Sequence, residues 1–254
     1  MIEPPSDLPS VVVVVPTYNE HPNIEALILD VLELGSHFRI MVVDDGSPDG
    51  TGVLADALAA NHPGRIEVIH RRAKSGLGPS YIAGFRRALE LSPDLIAQMD
   101  ADFSHDPAAL PRLVAASRDA DLVVGSRYVT GGGTTGWPLW RRLLSRLGGR
   151  YASAVLGAPV SDLTGGFKVW RPGTLQRIAI DGLRSDGYAF QIEATWRAIK
   201  QGARVVEVPI VFTERVAGAS KLSRRIVIEA ALLVWKLRWE SRSSRSNAKT
   251  NPLG

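Results

Sequence analysis

Asp100-Ala101-Asp102 closes the apolar run Leu95–Met99 and sets two carboxylates one residue apart. Carboxylates so placed are costly unless water or a cation neutralises them. Mg²⁺ and Mn²⁺ take oxygen ligands and commonly bridge one or two carboxylates to substrate phosphates. The pair therefore suits a metal held against a diphosphate, stabilising the charge that grows as the diphosphate leaves. A capping aspartate beside a surface aspartate is the plainer alternative. Two more polar clusters follow apolar runs: Pro16-Thr17-Tyr18-Asn19-Glu20 after Val11–Val15, and Asp44-Asp45-Gly46-Ser47 after Arg39–Val43. Tyr18 offers a face on which a base can stack, while Glu20 and Asp45 can accept hydrogen bonds from ribose or base. The same residue types also favour turns for backbone reasons alone.

Elements must bring these clusters together. Val11–Val15 is a β-branched run ended by Pro16 and reads as a buried strand. A helix is predicted over about 24–34, stopped by Gly35, then a strand over 39–43 and a helix running to about Ala60. A strand over 65–70, a helix over 79–91, a strand over 95–99, a helix over 107–117 and a strand over 122–125 complete the series. Strands alternating with helices predict an α/β fold, with a mostly parallel sheet covered on both faces. Such sheets gather ligands at the carboxyl ends of their strands, where all three clusters lie.

After Arg127 the pattern loosens. Gly131-Gly132-Gly133 reads as a flexible joint. From Trp140 to Leu156, helical spacing sets Trp140, Leu143, Leu144, Leu147, Tyr151, Ala154 and Val155 on one face, with Arg141, Arg142, Arg146 and Arg150 on the other. A last helix is predicted over about 223–239, apolar in its middle and flanked by Arg224, Arg225, Lys236 and Arg238. Both helices suit core packing; their basic flanks, Trp235 and Trp239 suit a membrane interface equally. The expected division is a flexible start over 1–10, a catalytic domain over 11–222, an amphipathic helix over 223–240 and a disordered tail over 241–254.

Composition narrows the class. There are no cysteines, which excludes disulfides and thiolate metal sites. Residues 1–130 hold 10 basic and 18 acidic side chains, and residues 131–254 hold 20 and 8. The imbalance fits either a chance distribution of solvated faces or a half that organises cations ahead of a half that meets anions. No helix-turn-helix, zinc-finger or aromatic RNA-binding signature supports nucleic acid as the anion. The first ten residues do not read as a secretory signal, and no run of about 18 apolar residues predicts a membrane span. A G-x-x-x-x-G-K-[ST] loop is absent, Tyr81 stands where a dinucleotide fingerprint needs glycine, and there is no G-x-S-x-G elbow.

In ordered blocks from Val11 to Ser223 the chain resembles the inverting GT-A glycosyltransferases that make dolichyl- or polyprenyl-phosphate mannose. The blocks are PTYNE at 16–20, DDGSPDGT at 44–51, GLGPSYIAGF at 76–85, DADFSHDP at 100–107, GSRYVTGGG at 125–133, WPLWRR at 137–142, SDLTGGFK at 161–168 and EVPIVFTERVAGASKL at 207–222. The alanine-, arginine- and glycine-rich composition is similar to the actinobacterial branch. The resemblance implies a GT-A, Rossmann-like sheet followed by basic interface helices, acting peripherally at the cytoplasmic face of the membrane. It implies GDP-mannose as donor, polyprenyl phosphate as acceptor, Mg²⁺ or Mn²⁺ as cofactor, and a multi-span membrane protein as an anchoring partner.

Carried over by position, the resemblance implies that Pro16, Tyr18, Glu20 and Asp45 frame the guanosine, with Val43 and Lys74 in the same nucleotide-sugar set. Asp100 and Asp102 would bind the metal, with Ala101 lining the site. Ser104 stands where the family often has glutamine, so either its hydroxyl or water would be the third ligand. Arg127 and Arg141 would hold phosphates, as would Arg215 and Lys221 on a loop that closes over the donor. A phosphate monoester is largely dianionic at neutral pH, so the acceptor needs positioning by cations more than deprotonation. Asp162, where hydroxyl-using relatives place a base, would then serve as that base or orient the sugar or an arginine. Two alternatives stay open: a UDP-glucose (or other sugar nucleotide) donor, and a non-catalytic lipid-binding or scaffold subunit. A processive polysaccharide synthase is disfavoured, because Trp235 replaces the glutamine of its Q-x-x-R-W signature.

Overall fold

The computed structural model describes residues 8–214 and 232–239. Its main sheet takes strands β1 (Val11–Thr17), β2 (Phe38–Asp44), β3 (Ile66–His70), β4 (Leu95–Gln98), β5 (Leu122–Ser126), β7 (Lys168–Trp170) and β8 (Val205–Pro209). They stand in the order β3-β2-β1-β4-β7-β5-β8. All pairings are parallel except those of β7, which runs antiparallel between β4 and β5. A separate parallel pair joins β6 (Gly133–Thr135) to β9 (Val211–Thr213). The strand order reverses between β1 and β4, which opens a crevice at their carboxyl ends.

Five valines make β1 the spine of the molecule. Stiff at χ1 and compact, they suit a strand covered on both sides. Val11, Val13 and Val15 enter one core with helices α1 (His21–Glu33), α2 (Thr51–Asn61) and α4 (Leu110–Ala116). Val12 and Val14 enter the other, beneath α3 (Leu77–Glu90), α6 (Pro172–Arg177) and α7 (Gly187–Lys200). The α3 backbone lies close on β1: a Cβ at Gly84 would stand 2.3 Å from Val14 Cγ1. Alanine there would push the helix off the sheet.

The helices and strands expected up to Ser126 are all present, with ends shifted by a few residues. Beyond it, the expected glycine joint is the start of β6, and α7 and the three-residue strands are additions. Helix α5 (Leu139–Leu156) forms as expected, but it packs mainly through residues outside the expected apolar stripe, of which only Val155 meets the interior. Ala152 and Leu156 pack with Trp196, Val234 and Leu237, while Trp140, Leu143, Leu144, Leu147 and Tyr151 stay exposed. Residues 232–239 are helical, and Trp235 donates its indole N–H to the Tyr151 hydroxyl at 2.7 Å. No helix among the described residues is long and apolar enough to cross a membrane. The expected flexible start is tied down at its end, where Ser10 donates to Asp94 from backbone N–H and hydroxyl. Arg215, Lys221, most of the expected last helix and the tail fall outside the described residues.

Candidate active site

A cleft of about 430 Å³ opens over the carboxyl ends of β1, β2, β4 and β5. Pro16, Tyr18, Glu20, Asp45, Lys74, Asp100, Ala101, Asp102, Arg127 and Arg141, anticipated from the sequence, all line it. Tyr18, Lys74 and Asp45 lie together in its lining. Lys74 Nζ stands 3.8 Å over the Tyr18 ring. Asp45 is held by Arg71 Nη1 at 2.7 Å, the Ser80 hydroxyl at 2.9 Å and the Ser75 N–H at 3.3 Å. Val43 does not join this wall. It is fully buried in the second core and would meet a Cβ on Gly84 at 3.0 Å, because its place on β2 turns it under α3.

The paired aspartates lie at the cleft floor on a tight turn. Phe103 adopts φ 56°, a left-handed conformation that a bulky residue takes only when its surroundings hold it. Tyr81 donates to Asp100 Oδ1 at 3.1 Å, and the Asp100 N–H donates to His105 Nδ1 at 3.2 Å. His105 is buried against Phe167, and burial holds its pKa below the ordinary value, in keeping with a neutral ring that accepts at Nδ1. Burial, followed by the charge of Asp100, raises the Tyr81 phenol well above its usual range, so it stays a donor. The donor set suits Mg²⁺ or Mn²⁺: two carboxylates share one cleft, and hard cations complete such sites with substrate phosphates and water. No group of three or more His, Cys, Asp or Glu residues able to hold a metal occurs among the described residues. Ser104, expected as the third ligand, is turned to Asp102 and not into the cleft. It is fully buried, and its hydroxyl and N–H both donate to Asp102 Oδ1, so it orients that carboxylate instead.

The opposite wall carries the cations. Arg127 Nε and Nη2 each donate to Asp162 at 2.7 Å, and Nη2 also donates to the Thr164 hydroxyl at 2.7 Å. Both partners are almost completely buried. Burial alone would raise the Asp162 carboxyl, but Arg127 and the Thr164 hydroxyl hold it below the usual carboxylate range. Burial works against the Arg127 cation too, and Asp162 more than restores it. Asp162 does not line the cleft, and both of its oxygens are engaged by Arg127, an arrangement that does not favour its use as a base. The alternative reading, that it orients an arginine, is the one the geometry supports. Arg141 reaches the same wall, donating to Glu214 at 2.6 Å and standing 4.2 Å over the Trp137 ring. The parallel β6–β9 pair is what joins these segments.

Several wall residues were not singled out from the sequence, although Trp137, Phe212 and Glu214 lie in the ordered blocks. Trp137, Asp186, Tyr188, Gln191, Phe212 and Glu214 all line the cleft, from segments beyond the regular alternation. Asp186 accepts from the Gly78 N–H at 2.8 Å and from the Gly187 N–H, tying α3 to α7; the Ser-Asp-Gly turn was the only hint of it. Beneath the floor, Lys168 is fully buried with its ammonium on Gln191, at 2.7 Å to Oε1 and 3.1 Å to the carbonyl.

The matched family model is "Glycosyl transferase family 2", over residues 12–178, and the chain belongs to that family. Its fold is GT-A. Among curated proteins, the chain is 47% identical over 230 residues to a polyprenol monophosphomannose synthase from Mycolicibacterium smegmatis, covering 89% of this chain and 86% of that one. It is 45% identical over 239 residues to an undecaprenyl-phosphate mannosyltransferase from Micrococcus luteus, covering 92% and 98%. Among solved structures, glucosyl-3-phosphoglycerate synthase from Mycobacterium tuberculosis, with Mn²⁺, UDP and glucosyl-3-phosphoglycerate, superposes with a TM-score of 0.64 at 19% identity, covering 91% and 80%. A mannosyltransferase from Pyrobaculum calidifontis with GDP-Man and Mn²⁺ gives 0.58 at 18% identity, covering 98% and 77%. The actinobacterial character expected from composition agrees with the sources of both curated relatives.

Proposed function

We propose that this chain transfers mannose from GDP-mannose to polyprenyl phosphate, releasing GDP and inverting the anomeric centre. The observation that carries the reading is the likeness to two curated enzymes of that chemistry over about nine-tenths of the chain. The cleft supports it by bringing together Tyr18, Glu20 and Asp45, the paired carboxylates Asp100 and Asp102, and the two arginines Arg127 and Arg141.

A phosphate oxygen of the acceptor attacks the anomeric carbon while the bond from that carbon to the diphosphate breaks, its electron pair leaving with GDP. The acceptor is already largely dianionic, with a second pKa of about 6, so no side chain has to remove a proton. The chain's own task is to place two anions in line, and arginines are suited to it. Arg127 presents a guanidinium whose orientation Asp162 and Thr164 have already set. Asp100 and Asp102 would hold Mg²⁺ or Mn²⁺, which when bound neutralises charge on the leaving diphosphate. Apolar side chains left exposed along α5, a helix that also carries exposed Arg142, Arg146 and Arg150, fit peripheral attachment to the cytoplasmic face of the membrane, where the lipid acceptor resides. Anchoring by a multi-span membrane partner belongs to the same reading.

The test is transfer of radiolabel from GDP-mannose, UDP-glucose and UDP-GlcNAc into organic-extractable lipid, with polyprenyl phosphate and Mg²⁺ or EDTA. Label entering lipid from GDP-mannose alone, only with metal, and lost in Asp102→Ala is the expected result. Label from a UDP-sugar alone would overturn the donor, and no transfer from any donor would favour a non-catalytic lipid-binding subunit.

A further inference from the structure

Arg127 owes its position to a relay that starts outside the cleft. Glu207 lies on β8, paired with Val124 of β5, and does not line the cleft. Its two carboxylate oxygens accept from two consecutive backbone N–H groups: Oε2 from Ser161 at 2.8 Å and Oε1 from Asp162 at 3.0 Å. That grip fixes the loop carrying Asp162. The Asp162 carboxylate in turn takes the Arg127 N–H at 3.1 Å and both of its guanidinium bonds at 2.7 Å. Arg127 leaves the sheet at the end of β5, the strand on which β8 is paired.

Counting donors shows what the relay achieves. A guanidinium has five N–H donors in a rigid fork. Nε and Nη2 of Arg127 are spent on Asp162 and Thr164, and a planar group with those bonds fixed has no rotation left. Its remaining nitrogen, Nη1, is set by the same plane, in a residue that lines the cleft. A shift of the 161–162 loop would therefore turn Nη1 relative to an anion in the cleft.

From this geometry we infer that Glu207 is a positioning residue for the transfer reaction, acting on Arg127 through the loop and the carboxylate of Asp162. This rests on the functional reading above only in taking the anion to be a substrate phosphate. Glutamine at 207 keeps one accepting oxygen and turns an amide NH₂ toward the second backbone N–H. The substitution thus breaks the two-point grip without removing bulk.

A double-mutant cycle on the full-length enzyme tests it, using Glu207→Gln, Arg127→Lys and the double variant, with whichever sugar nucleotide the wild-type protein consumes. A wrong donor would then overturn the functional reading and leave the cycle intact. Glu207→Gln is expected to lower kcat/KM by roughly tenfold, the worth of about one hydrogen bond to a charged group, at a nearly unchanged Tm. In the Arg127→Lys background, which lacks the fork, the same change should cost less than about threefold. A second readout is free of activity. In the unliganded protein the Arg127 Nε–H signal, assigned by its loss in Arg127→Lys, should exchange with solvent roughly tenfold faster in Glu207→Gln. Multiplicative losses in the cycle, or unchanged exchange and kinetics in Glu207→Gln, would overturn the proposal. Failure of both Glu207→Gln and Glu207→Asp to fold would assign Glu207 to stability alone and overturn it as well.

Discussion

Arg127 and Asp162 meet through two bonds of 2.7 Å in a pair that solvent barely reaches, with the Asp162 side chain fully buried and that of Arg127 4% exposed. Removing one partner of such a pair leaves an uncompensated buried charge and costs about 3–5 kcal/mol. Asp162→Asn should therefore lower the unfolding free energy measured in urea by that amount, and transfer activity should fall because the Arg127 fork is released. The folded pKa of Asp162 lies below its unfolded value of about 3.9. The pair's contribution is thus complete above pH 4 and is lost as pH drops through the folded value. Acid titration of stability in wild type and Asp162→Asn checks the sign, since the difference between them should shrink in acid. A constant difference would show that the asparagine variant suffers from packing and not from charge.

Lys168 titrates in the opposite sense. Burial pushes its pKa down to about 7, against the pull of Asp162 and Asp100, while an unfolded lysine stays near 10.4. Between those values the unfolded chain binds more protons than the folded one, so this lysine makes stability rise with pH from about 7 to 10. Denaturation of wild type and Lys168→Met over that window should show the wild-type curve gaining on the variant as pH increases. Parallel curves would mean that Lys168 stays charged on Gln191 throughout.

Asp45 lines the cleft already tethered by Arg71, Ser80 and the Ser75 N–H. Arg71→Ala removes the charged tether, and hydrogen bonds to charged groups contribute about 1.5–3 kcal/mol. GDP affinity measured by calorimetry with Mn²⁺ should fall by tenfold or more. The binding enthalpy should shrink in the same variant. Unchanged affinity would remove Asp45 from the nucleotide contacts.

What could be read from the sequence follows from how each part is encoded. The two-sided valine run of β1 and the Pro, Asn, Asp and Gly clusters after β1, β2 and β4 carry local signals, so that half of the sheet and the aspartate pair were legible. The antiparallel β7 was not. It is three residues long and is placed by Gln98 and Trp170, whose side chains bond at 2.8 Å across 72 positions. Val43 lies within β2 and packs into the core under α3, whereas Asp45 follows the strand's last residue, Asp44, where the regular alternation of facing ends. Ser104 and Asp162 have the right residue types at the right places, but their partners are fixed by burial, which spacing does not report.

Helix α5 shows the same limit from outside. Its apolar stripe was visible as a period, and whether it packs inward or faces out is a tertiary question. In the structure Leu139 is 79% exposed and Trp140 64%, with Leu143 and Leu147 beside them and Arg142, Arg146 and Arg150 along the same helix. An aqueous protein gains nothing from such a face, whereas a bilayer interface repays each large apolar side chain with about 1.5–3 kcal/mol and each nearby arginine with about 1 kcal/mol. Trp140→Ser together with Leu143→Ser should weaken co-sedimentation with anionic vesicles by about a hundredfold or more. Tm should hardly move, because neither side chain is in the core. Raising salt should weaken the wild-type protein's binding in part, removing the arginine share and leaving the apolar one. Vesicle binding that survives the double substitution would place the attachment elsewhere on the chain, and binding absent from the wild type would require a protein anchor.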